Sequence, residues 1–248
     1  QSYSYLTNTT LMGNLNYRIN TNHNLKFNSL FINSTSQNHD EYYGVIDIFD
    51  NAPNGGGVVR RSTFDRTSLY VNQLLGTNKF SEGFDLDWGL SFNHINNVVP
   101  DRMQNTLRPV NDEGDLDIKQ LNDLSNSDNH RYWQDLKEDE AAANIFANYN
   151  FNKDDADNFK GKFTIGYSGR MKTVDFAATQ YNIKLGDGIV QPVVSLNNLD
   201  SYFTQDNLDA GLYSIVTFRG NAGATNALDP QTYDGDQTIH AGVASVEY

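Results

Sequence analysis

The chain has 248 residues, with 18 basic and 31 acidic side chains, a formal net charge of -13 and no cysteine. That balance excludes the clustered lysines and arginines of a nucleic-acid surface, so no nucleic-acid partner is expected, and the missing thiols exclude a disulfide framework or a thiolate metal site. A mean hydropathy of -0.60 and the lack of any run of about eighteen apolar residues exclude a bundle of membrane helices.

In chain order, the first alternating stretch is 9–19. There Leu11, Gly13, Leu15, Tyr17 and Ile19 share a face opposite Thr10, Met12, Asn14, Asn16 and Arg18. Alternation with period two is the mark of a strand with unlike faces. A polar turn (Asn20, Thr21, Asn22, His23, Asn24) leads to a partner strand over 25–35. In this partner Leu25, Phe27 and Phe31 face one way, while Leu30 and Ile32 interrupt the polar side. The second hairpin joins 67–76 to 84–95. Its latter strand is the cleanest, with Phe84, Leu86, Trp88, Leu90 and Phe92 set against Asp85, Asp87, Gly89, Ser91 and Asn93. The third joins 140–151 to 160–172 through an acidic turn over 152–158, and a seventh strand over 237–248 ends the chain.

Between these hairpins the sequence predicts long loops over 36–66, 96–139 and 173–236. All five prolines (Pro53, Pro100, Pro109, Pro192 and Pro230) fall within them, which fits because proline breaks central ladders. Very short connections alternating with very long ones, about ten residues per strand and apolar-polar alternation form the pattern of a transmembrane β-barrel with short inner turns and long outer loops. Tyr17, Phe27, Phe84, Tyr149, Phe151 and Phe163 sit on the apolar face near the short turns, where rings favour the headgroup level of a bilayer. The fold class expected is therefore all-β, an antiparallel transmembrane barrel domain over 1–248. Seven strands leave unpaired edges that lipid does not tolerate, so the chain reads as part of a larger barrel. With Gln1 at its start and no signal-peptide pattern, it also reads as processed or as a piece of something longer.

Phe84-Asp85-Leu86-Asp87-Trp88-Gly89-Leu90-Ser91-Phe92, followed by Val99-Pro100-Asp101-Arg102, resembles the barrel strands of TonB-dependent outer-membrane receptors. So do Gly161-Lys162-Phe163-Thr164-Ile165-Gly166-Tyr167 with Arg170 and Lys172, and Thr238-Ile239-His240-Ala241-Gly242. The resemblance is to the class with carboxypeptidase-like N-terminal extensions, and it covers most of the chain. It implies a section of a plugged barrel of about twenty-two strands in the outer membrane of a diderm bacterium, importing a scarce nutrient such as a siderophore, cobalamin or a glycan. Its partners would be outer-membrane lipid, a plug domain, the TonB energy-coupling complex, a small-molecule or glycan ligand and a surface lipoprotein. The sequence contains no plug domain, TonB-contact segment or closing strand with a terminal aromatic.

No catalytic constellation stands out, and neither enzymatic activity nor a cofactor is expected. His23, His39, His94, His130 and His240 are scattered without metal-ligand spacing. Gly55-Gly56-Gly57 lacks the Lys and Ser or Thr of a phosphate loop, and the acidic runs at 112–117 and 154–157 lack the spacing of a calcium loop. Asp85 and Asp87 share a face, as paired carboxylates would, but so do Arg18, Lys26, Lys162, Arg170 and Lys172. This is the polar side expected to line a wet lumen, where the cations could meet a plug. Ligand contacts fall more naturally to loop aromatics and cations: Tyr42, Tyr43, Arg60, Arg61, Arg131, Tyr132 and Trp133. Competing readings are a plugless porin or export barrel, a soluble extracellular β-sandwich that binds glycans, and a hydrolase using Asp85 and Asp87.

Overall fold

A computed structural model describes residues 1–44, 56–110, 118–125, 127–154 and 158–248. Its strands, in chain order, are β1 (Ser2–Arg18), β2 (His23–Gly44), β3 (Gly57–Lys79), β4 (Phe84–Pro109), β5 (Ile118–Leu121), β6 (His130–Lys153), β7 (Phe159–Leu185), β8 (Val193–Ser195), β9 (Tyr213–Thr217), β10 (Gly220–Asn221) and β11 (Gln231–Glu247). The long strands form one antiparallel sheet in the order β1-β2-β3-β4-β6-β7-β11. The sheet does not close on itself, because β1 and β11 are not paired to each other. The other segments form a cap at one end, where β5 extends the sheet from β4 to β8, and β9 pairs with the end of β7.

Each alternating stretch read from the sequence lies in one of the long strands, but the predicted loops are much too long. The strands run 17 to 27 residues, and most of 36–44, 57–66, 96–109, 130–139 and 173–185 is ladder. Beyond those stretches polar and apolar residues fall on both faces, with Val58 beside Val59 and Val98 beside Val99, so the period-two signal vanishes while the backbone still pairs. Pro100 corrects the proline argument too, since it lies inside β4. It does so at a bulge, where Arg66 faces Val98 and Phe64 faces Asp101, so that Asp65 opposes two residues. The matching slip against β6 falls between Val99 and Arg102. A bulge is one of the few places a strand accepts proline. Pro53, Gly55, the 112–117 acidic run and Asp155 and Asp157 lie outside the described residues.

The registers align the apolar positions across the whole sheet. Leu15 faces Phe27, which faces Leu74, then Leu90, Ala143 and Gly169 in turn. Near the turns Phe84, Tyr149, Phe163 and Val246 are mutually opposite. The result is one continuous apolar band on one face, and its side chains are uncovered. Leu11, Leu90, Ile165 and Val246 are 63%, 50%, 55% and 65% exposed. Trp88 belongs to this face and lies flat over Gly76, where an added Cβ would fall 2.2 Å from the indole.

The band runs obliquely across the sheet. Its upper limit is Leu11, Phe31 and Tyr70, which are mutually opposite. In β4 the residue opposite Tyr70 is His94, and the apolar run stops two residues lower, at Phe92. Ala141 and Met171 stand level with Phe92. In β11 Thr238 is at that level, and the first non-polar position is Gly242, four residues lower still. The limit thus steps down six residues over six strand junctions. One residue per strand, at ~3.3 Å rise and ~4.8 Å spacing, sets the strands at about 35° to the normal of the band.

The opposite face is mostly polar. Asn148 donates to Asp85 and Asp87 at 2.6 and 3.0 Å and accepts from Thr164. Arg170 and Lys172 pair with Glu140 and Glu138 at 3.7 and 2.6 Å. Leu30 and Ile32, which disturbed the alternation of β2, find apolar company here. Leu30 faces Met12 and Val71, while Ile32 faces Leu69, which faces Ile95. The only buried hydrophobic cluster among the described residues sits in the cap, where Val58, Leu107, Leu121, Val194, Leu196 and Leu199 pack with Tyr202 and Phe203.

Candidate functional site

The strand ends joined by short connections, at Arg18 and His23, Lys79 and Phe84, and Lys153 and Phe159, lie at one end of the sheet, and the ends joined by long connections at the other. At the long-connection end, polar and aromatic side chains gather around β2, β3, β4 and β6. Strand alternation divides the expected ligand residues between two faces. On the face of the apolar band stand Tyr43, Arg60, Arg131 and Trp133; on the opposite face stand Tyr42, Arg61 and Tyr132. They therefore form two groups instead of one site.

On the band's face the charges are matched. Arg60 bonds Glu41 through Nε at 2.7 Å and Nη2 at 2.6 Å, and its Nη1 donates to the Leu196 carbonyl at 2.5 Å, tying β3 to the cap. Burial pushes the Glu41 carboxyl up, but the hydrogen bonds from Tyr43 and Arg60, with the Arg60 charge, outweigh it and hold the group below its ordinary value. Arg131 is held by both oxygens of Asp101. That bond pushes its pKa up against burial.

On the opposite face Arg61 donates to Gln104. Arg102 lies 4.4 Å over the ring of Tyr132 and 3.4 Å from His130 Nε2. His130 is 4% exposed, and its Nδ1 is 2.7 Å from the Ser127 carbonyl, so Nδ1 carries the proton. Burial lowers the His130 pKa, and the charges of Arg102 and Arg61 lower it further against the bond to Ser127. Burial and the Arg61 charge likewise lower that of Arg102. Arg102, Gln104 and His130 were not among the expected site residues. The expected set was chosen by residue type alone, and the face on which Arg102 stands depends on the bulge. Straight alternation from Phe84 puts Arg102 on the band's face, and the extra residue at Pro100 turns it to the other.

The residues expected to line a lumen, Arg18, Lys26, Asp85, Asp87, Lys162 and Arg170, do share the face opposite the band. Asp85 and Asp87 share one amide partner, Asn148. Among the described residues no three potential ligands converge as a metal site, and no helix is long and apolar enough to cross a membrane. No protein-family model, curated protein or solved structure matches the chain.

Proposed function

We propose that the chain is a segment of an outer-membrane β-barrel of the TonB-dependent receptor type, which binds and imports a scarce nutrient and performs no catalysis. The observation that carries the membrane reading is the continuous, uncovered apolar band, set opposite a hydrogen-bonded polar face on the same strands. Water-soluble monomers seldom expose apolar patches beyond several hundred Å², whereas a barrel wall needs an outward apolar band about 25 Å tall. In β4 the band runs from Phe84 to Phe92, about 27 Å along the strand.

Two further features support it. The oblique course of the band corresponds to a strand tilt of about 35°, at the lower end of the 35–45° that barrel closure imposes. Rings also flank the band. Phe80–Phe84 and Tyr149–Phe151 lie at its turn-side limit, and Phe31–Tyr70–His94 at its other limit, as interfacial girdles do. On this reading the short turns are periplasmic, the cap is extracellular, and the free edges of β1 and β11 pair with further barrel strands. The more specific receptor assignment rests on the strand motifs given above. A sandwich would lay a second sheet over the band, and among the described residues none does so.

The test is a lipid-accessibility measurement on this chain carrying Trp133→Phe, which leaves Trp88 as its one tryptophan reporter. In vesicles of brominated lipid its emission should be strongly quenched. A detergent-free, monodisperse protein with unquenched Trp88 would overturn the membrane assignment. Co-purification with an energy-coupling complex would separate a TonB-dependent receptor from a plugless pore.

A further inference from the structure

We infer that the polar face carries an oxyanion-binding site at its cap end, built by Arg61 and Arg102, with Gln104, Tyr132 and His130 positioning them. The inference rests on the receptor reading only in calling this face the lumen. The starting point is a difference between arginines at the same end of the same strands. Arg60 and Arg131, on the band's face, each meet a carboxylate. Among the described residues Arg61 and Arg102 meet only uncharged groups: the Gln104 amide oxygen, the Tyr132 ring and the His130 nitrogen. They are near neighbours, since Arg61 faces Gln104 and Thr63 faces Arg102 on adjacent strands. Two cations have been brought together in a chain of net charge -13, which costs energy unless an anion completes the group.

The nearby carboxylates among the described residues do not complete it. Asp40 faces Arg61 across the β2–β3 ladder, but its Oδ1 accepts from Ser2, and it makes no ion pair with Arg61. Asp101, beside Arg102 in sequence, is turned to the other face by the bulge and held by Arg131. Arg102 Nε is buried and has no hydrogen-bond partner, an expensive state for a charged donor. His130 adds to the polarity of the site. With its proton held on Nδ1 by Ser127, its Nε2 takes a hydrogen bond from Arg102 and fixes the guanidinium. The ring of Tyr132 holds the other side of that guanidinium by a cation-π contact. A planar fork fixed in this way is suited to bidentate carboxylate, sulfate or phosphate.

The test is calorimetric titration of the full chain with citrate, inorganic phosphate and sulfate at fixed ionic strength. At least one should bind saturably, Arg102→Gln should weaken it tenfold or more, and Arg131→Gln, which removes a carboxylate-paired arginine, should change it less than twofold. Should Arg102→Gln fail to fold, the exposed Arg61→Gln carries the same expectation. A preference for citrate would assign a carboxylate ligand, and one for phosphate or sulfate a tetrahedral oxyanion. Absence of saturable binding, or equal losses with Arg102→Gln and Arg131→Gln, would overturn the inference. Saturable binding by a protein that proves water-soluble would sink the membrane reading alone.

Discussion

The same strands behave differently at their two ends. Near the short turns, stability cannot come from burial within the described chain, because Leu11, Leu90, Ile165 and Val246 project uncovered. That half is a ladder with one uncovered apolar face. Near the long connections the faces are mixed, the arginines on the band's side are ion-paired, and a small buried core around Leu107 and Leu121 ties the cap to β3 and β4. Backbone pairing runs through both halves without interruption. The contrast shows that the ladder supplies the framework, while side-chain patterning decides which half leaves an uncovered apolar face.

The comparison can be broken hardest at the cap core. Leu107→Ala removes a fully buried side chain and should cost about 2–5 kcal/mol. Hydrogen exchange should show the cap loosened while the turn-side ladder stays protected; loosening of the whole sheet would mean that the two ends are one cooperative unit. Leu90→Arg, at mid-band, should destabilise the lipid-embedded protein by roughly 2–4 kcal/mol, and Asn93→Arg on the other face by much less. Equal costs in denaturant titrations from vesicles would remove the facing assignment.

A smaller effect is expected where the indole covers the glycine. Gly76→Val must displace Trp88, at a cost of about 1–3 kcal/mol, with a shift in Trp88 emission as the readout. Gly235→Val, where nothing lies within 4 Å of the added Cβ, is the control. The smallest effect concerns the pair that ties β3 to the cap. Because Glu41 titrates below its ordinary value of 4.5 in the folded chain, its contribution is present above that pH and fades as the pH falls through the lower folded value. Amide exchange at β2 and β3 near Arg60 should quicken in acid by an amount worth under about 1 kcal/mol, and Arg60→Gln should reduce the pH dependence, leaving the part due to Tyr43.

Much of the sheet was legible in the sequence. The alternation of 84–93 gave a strand and its two faces because a pleated strand has an invariant period of two, and that period persists wherever the faces meet different solvents. It failed over 36–44, where both faces are almost wholly polar, and over 96–109, where Val98 and Val99 fall on opposite faces and the bulge at Pro100 shifts the phase. The candidate site was less legible. Arg61 and Tyr132 were picked out by residue type, but they stood in one set with Arg60 and Arg131, which alternation places on the opposite face.

By itself the sequence determined an all-β chain with short turns at one end and an apolar face on each long strand, because those properties follow from local periodicity and turn chemistry. Only the tertiary structure decided the oblique alignment of the band across seven strands, the burial of Leu107 beneath the cap and the company of Arg102. Register is fixed by pairing between distant segments, and one extra residue at Pro100 is enough to exchange the faces of Asp101 and Arg102.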